Sequence, residues 1–189
     1  MASFLSPEDI KRILRAIDAH REMRKGSQGP TPEDGWLKEM IRISVGTGLR
    51  REKLLNLRWA DVDLKSKHLV VRSREDFTLK SGTERAVPLR ADALDTLQEI
   101  SQAQTPLETE PVFIDAGGNV PRPRRVSERF KFYVSKAGLP DQEGLSLDLC
   151  RHTTASWLMA QGAPPKYFWS CLAAPAGKNN SPLRLILAC

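Results

Sequence analysis

The sequence predicts a mainly helical α+β fold with a small three-stranded antiparallel sheet. Three observations predict it. Six segments repeat apolar residues at the 3.6-residue spacing of a buried helix face. Between His68 and Leu89 the period falls to two, the alternation of half-buried strands. No run approaches the roughly 18 apolar residues that a membrane-spanning helix needs. The chain has 189 residues, 40% hydrophobic and 28% charged, enough for one domain with a real core.

The first helix starts at Ser6-Pro7-Glu8-Asp9: a capping serine, a proline at the first helical position, then acids where the helix dipole favours them. Ile10, Ile13, Leu14 and Ile17 form its apolar face. A polar stretch from Gly26 to Gly35 reads as a loop. A second helix covers about Trp36 to Val45, with Trp36, Leu37, Met40 and Ile41 on one face, and Gly46 and Gly48 interrupt it. A third begins near Arg50 and buries Leu54, Leu57 and Trp59. Three short strands follow at His68–Arg72, Phe77–Lys80 and Arg85–Leu89, with Ser81-Gly82 as the turn between the last two. Helical pattern resumes at Ala91–Ile100, at Val126–Ala137 with Val126, Phe130, Tyr133 and Val134 inward, and from near Arg151 to Gly162. Residues 163–189 carry four prolines and no sustained period.

Lysine and arginine exceed acids by six, and the excess is local. Residues 121–136 hold six basic groups against the single acid Glu128, and residues 162–189 hold three with no acid. A concentrated basic surface suits a polyanion, although a solvated basic helix has the same composition. Cys150, Cys171 and Cys189 have no metal-ligand spacing, so no metal is expected on them, and three thiols suit a reducing cytoplasm. The N-terminus lacks the basic-then-apolar layout of a secretory signal.

Two motifs carry the chemistry. The first is Thr47-Gly48-Leu49-Arg50-Arg51-Glu52-Lys53-Leu54-Leu55, which sets an arginine at a glycine-punctuated helix start. The second is Asp148-Leu149-Cys150-Arg151-His152-Thr153. In that order and at that distance they resemble the two arginine boxes of the tyrosine site-specific recombinases, the phage integrase family. The resemblance covers about residues 5–167. It implies a recombinase catalytic domain over residues 1–167 and an aberrant tail over 168–189. It also implies double-stranded DNA as partner, a tetramer of the chain on DNA, and no cofactor.

Transesterification of a phosphodiester develops negative charge on the non-bridging oxygens, and cations fixed there beforehand lower the barrier. An arginine fork donates two parallel charge-assisted hydrogen bonds to such oxygens. The resemblance assigns that clamp to Arg50 and Arg151. The hairpin Thr78-Leu79-Lys80-Ser81-Gly82-Thr83-Glu84-Arg85-Ala86-Val87-Pro88-Leu89 resembles the one that carries the family's lysine. This makes Lys80 the candidate that reaches the scissile phosphate and protonates the leaving 5′ oxygen; a solubilising lysine at a strand edge is the competing reading.

The chain departs from the family pattern at Asp148, at Lys53 and at the nucleophile, and keeps it at His152. Asp148 occupies the slot of a usual histidine, where an ionised carboxylate would repel phosphate rather than donate to it. Lys53 stands where an acid is common, with Glu52 one residue early. His152, adjacent to Arg151, is expected to pack or to support its neighbours. Finally, the family's nucleophilic tyrosine, which forms a covalent 3′-phosphotyrosine, is expected some thirty residues beyond the second arginine, and none is found there. Tyr133 precedes Arg151 on an apolar face and reads as core, and Tyr167 is too close to Arg151 to fit.

A back-translation of Phe168-Trp169-Ser170-Cys171-Leu172 read one base earlier can yield Leu-Glu-Leu, part of the missing helix, so a frameshifted and cleavage-incompetent end is expected. Arg122, Arg124, Arg125, Arg129 and Lys131 are the candidate DNA-backbone contacts. The alternatives are a DNA-binding remnant or regulator without cleavage, and a helical partner-binding protein whose arginines only solubilise it.

Overall fold

The structure is a computed structural model that describes residues 4–24, 34–73, 84–140, 146–160 and 162. The predicted strand Phe77–Lys80, the turn at Ser81-Gly82 and the tail lie outside these residues.

Helix α1 (Pro7–Arg24) begins where the sequence places it. The Asp9 amide donates to Ser6 Oγ at 3.1 Å and the Ser6 amide donates back to Asp9 Oδ2 at 3.0 Å, a capping box with aspartate as the acid. Helix α2 (Gly35–Thr47) runs through the middle of the molecule and packs on α4 (Ala91–Gln104) and α6 (Asp148–Ala160), while α1 packs on α5 (Pro123–Lys136). Ile13 and Ile17 of α1, Leu37, Met40 and Ile41 of α2, and Phe130 and Tyr133 of α5 are fully buried. Each such side chain contributes on the order of 2 kcal/mol of transfer free energy.

Two glycines shape the centre. A Cβ on Gly46 would meet the Cβ of Ala93 at 2.6 Å, so α2 and α4 approach as closely as they do only because position 46 has none. Gly48 stops α2 in the left-handed region at φ 68°, where its amide donates to Ser44 O at 2.7 Å.

Helix α3 is short, Arg51–Leu55. The helical face expected to run on to Trp59 breaks instead into a 3-10 turn, Trp59–Asp61, where Asp61 Oδ2 accepts the Arg58 amide at 3.0 Å. Trp59 is still buried, and the backbone around it pairs with residues 108–112: Trp59 N–H donates to Glu110 O and Val112 N–H to Leu57 O.

The sheet is three-stranded and antiparallel in the order β1 (Val62–Asp63), β2 (His68–Val71), β3 (Arg85–Pro88). Val62 faces Leu69 and Leu69 faces Val87. Among the described residues β2 and β3 lie where the sequence places strands, and β1 joins them unforeseen. The two-residue β1 is too short to show an alternation and joins the sheet by pairing alone. No helix among the described residues is long and apolar enough to cross a membrane.

Candidate nucleic-acid interface

Arg50 precedes α3 in extended backbone, at φ −70° and ψ 150°, with its side chain exposed. The chain reaches it through a fixed corner. Thr47 Oγ1 donates to Ile43 O at 2.6 Å and accepts the Leu49 amide at 3.3 Å, Ser44 Oγ donates to Leu49 O, and the Leu49 side chain is buried. The Thr-Gly-Leu-Arg run is therefore a corner in which each of the first three residues has a local task and the arginine is delivered to the surface.

Arg151 lies in the first half of α6, which is tied down by polar side chains of its own box. Thr154 Oγ1 donates to Val45 O of α2 at 2.8 Å, Thr153 Oγ1 accepts the Leu5 amide at 3.0 Å, and Trp157 Nε1 donates to Leu5 O at 3.1 Å. Leu149 and Cys150 are buried beneath, and burial pushes the Cys150 thiol up to about 12. His152 is exposed and does not pack as expected.

The two boxes meet. Arg151 Nη1 donates to the carbonyl of Gly48 at 3.0 Å, 103 residues away in the chain. In return the Arg51 amide donates to Asp148 Oδ1 at 3.0 Å. Asp148 thus satisfies an amide at the start of α3, a geometry that turns one carboxylate oxygen toward backbone.

A third guanidinium joins them. Burial, followed by the charges of Arg50 and Arg85, depresses Arg151 to about 10, against an opposing pull from Asp148. Arg85 on β3 is likewise lowered, by burial first and then by Arg50. Arg85 and Arg151 remain cations at neutral pH. Like charges so placed raise the energy of the empty site, and a bound anion lowers it. Arg85 stands in the quoted hairpin match but was read there only as a strand residue. Its one sequence signal is the alternation that puts it on the same side as buried Val87.

Lys80 and Tyr167 lie outside the described residues. Tyr133 is core, as expected, and its hydroxyl donates to Asp34 Oδ2 at 3.1 Å.

The five cations expected on α5 divide. Arg122 and Lys131 are exposed and form no ion pair among the described residues. Arg124 pairs with Glu128 at 2.7 Å, and that hydrogen bond raises its pKa. Arg125 lies 3.6 Å from Asp115. Arg129 points inward: Nε donates to Asp34 Oδ2 at 2.7 Å and Nη2 to Tyr133 Oη at 3.1 Å, while the guanidinium sits 4.4 Å from the Phe132 ring centroid. Asp34 is buried, 2% exposed, so this pair is a structural lock between α5 and the start of α2.

Among the described residues no group of three or more His, Cys, Asp or Glu side chains is placed to hold a metal.

The signature of the Phage integrase family matches residues 3–172. A tyrosine recombinase XerC-like protein of Caldanaerobacter subterraneus subsp. tengcongensis is 25% identical over 191 residues, covering 85% of this chain and 44% of its own length. The chain spans about half the length of the curated relatives it matches. Among solved structures, the XerA recombinase superposes with a TM-score of 0.68 at 19% identity over 97% of this chain and 61% of that one. The catalytic core of lambda integrase superposes with a TM-score of 0.66 at 19% identity over 94% of both chains. A XerH site-specific recombinase bound to difH substrate gives a TM-score of 0.64 at 20% identity, over 89% of this chain and 46% of that one.

Proposed function

Because this chain belongs to the phage integrase family and has the fold of a tyrosine recombinase catalytic core, we propose that it grips double-stranded DNA at a phosphodiester through Arg50 and Arg151, as part of site-specific recombination. The observation that carries this reading is the convergence of two arginines from distant boxes, with Arg151 braced on the carbonyl of Gly48 beside Arg50. Two cationic forks at one place match the charge that develops on the non-bridging oxygens in strand transfer. The structure of a related recombinase bound to its DNA substrate supports DNA as the partner.

Within this reading Lys80 is the proton donor to the leaving 5′ oxygen, and Asp148 positions the corner rather than touching phosphate. Arg122 and Lys131 follow the DNA backbone, whereas Arg124, Arg125 and Arg129 mainly hold α5 in place. The chain works as an oligomer on DNA, in the reducing interior of a cell, and these 189 residues bind a duplex without cleaving it.

Two experiments test it. Affinity for a short duplex falls steeply with added salt, as counterion release requires, and Arg50→Ala and Arg151→Ala each weaken it; salt-insensitive binding, or full binding by both variants, defeats the reading. A nicked suicide duplex incubated with the protein yields no covalent adduct. An adduct mapped to a tyrosine would overturn the claim of non-cleavage and identify the nucleophile.

A further inference from the structure

We propose that Arg85 is a third phosphate-binding residue of this site, donating from β3 to the same anion that Arg50 and Arg151 hold. The inference rests on the phosphate-gripping reading above and extends it to a residue outside the two arginine boxes.

The placement comes from the sheet. Arg85 opens β3 opposite Val71 of β2, and alternation puts its side chain with buried Val87 rather than with exposed Ala86. The guanidinium is therefore half-buried at the sheet margin. Its Nε is buried and has no hydrogen-bond partner among the described residues. A buried donor left without an acceptor costs roughly 1–3 kcal/mol, and more when it is charged. Such groups persist where a ligand completes them.

The electrostatic surroundings agree. Two other arginines drawn inward have acids: Arg129 has Asp34 and Arg72 has Asp61. The charges that act on Arg85 are different, since the neighbour that perturbs it is Arg50, and Arg85 in turn perturbs Arg151. The acid that acts on this trio is Asp148, through Arg151, and its Oδ1 accepts the Arg51 amide. Three cations that act on one another, with one engaged carboxylate beside them, favour an anion at this place. A phosphodiester fits, because it offers two non-bridging oxygens, each able to accept from more than one fork.

Inorganic phosphate and the arginine side-chain ¹H–¹⁵Nε signals of the full chain provide the test, with the Arg85 signal assigned from Arg85→Lys. Phosphate added to the wild-type protein should shift the Arg85 Nε–H together with those of Arg50 and Arg151. Arg85→Gln should weaken phosphate binding about tenfold, the worth of one charge-assisted hydrogen bond, with an unchanged far-ultraviolet circular dichroism spectrum. An Arg85 signal that stays fixed while Arg50 and Arg151 move overturns the inference and leaves the DNA reading standing. Phosphate held through Arg85 by a protein that shows no affinity for duplex DNA does the reverse. No phosphate-dependent shift at any of the three overturns both.

Discussion

The arginines around α3, β3 and α6 and those along α5 make a contrast within one basic molecule. On α5 three arginines are paired: Arg124 with Glu128, Arg125 with Asp115, and Arg129 with buried Asp34. At the junction of the two boxes burial, followed by the charges of Arg50 and Arg85, depresses Arg151 to about 10. Counting basic residues points to residues 121–136, which hold α5 and six cations in sixteen positions. Asking which cations act on other cations points to the box junction. The second criterion locates an anion site, because a cation already satisfied by a carboxylate gains little from exchanging one acceptor for another.

Substitutions can break this contrast. The largest effect is expected from Arg129→Ala, which leaves Asp34 buried without its partner. Urea denaturation should show a loss of about 3–5 kcal/mol, while duplex affinity per folded molecule stays within about twofold. A large affinity loss with little destabilisation would return Arg129 to the DNA surface. Arg50→Ala and Arg151→Ala come next. Each should weaken duplex binding about 10- to 100-fold at low salt, the worth of about 1.5–3 kcal/mol of charged hydrogen bonding.

Asp148→Ala removes the acceptor for the Arg51 amide and should cost about 1 kcal/mol in denaturation, comparable to loss of a helix cap. If Asp148 also repels bound DNA, the same variant would tighten binding instead of loosening it, and the positioning role would fall. The smallest effect belongs to Arg124→Ala. Its ion pair with Glu128 is exposed, so the midpoint of urea denaturation should not move measurably.

How far this arrangement was legible in the sequence depends on the range of each interaction. The capping box at Ser6, the apolar faces of α1, α2, α4 and α5, and the buried Tyr133 are local patterns, and each lies where spacing predicts it. Arg50 and Arg151 were found through their boxes, not through any local rule. The truncation of α3 at Leu55 was hidden because the apolar face continues through Leu57 and Trp59 while the backbone leaves the helix to pair with residues 108–112. Arg129 read as a surface cation because its partner Asp34 lies 95 residues away, in what spacing marks as a loop. Arg85 was in plain view within the hairpin match. Nothing short of the folded neighbourhood shows that the charges around it are positive.

Two bonds join the boxes, and both use main-chain atoms on one side: the carbonyl of residue 48 and the amide of residue 51. A peptide group survives the replacement of its side chain, proline at 51 excepted. On the opposite side the contributors are side chains, Arg151 and Asp148. Tolerance to mutational drift is therefore lopsided: position 51 can change its letter and keep its part of the clasp, position 48 is held to glycine by its φ of 68°, and α6 loses its half with a single codon.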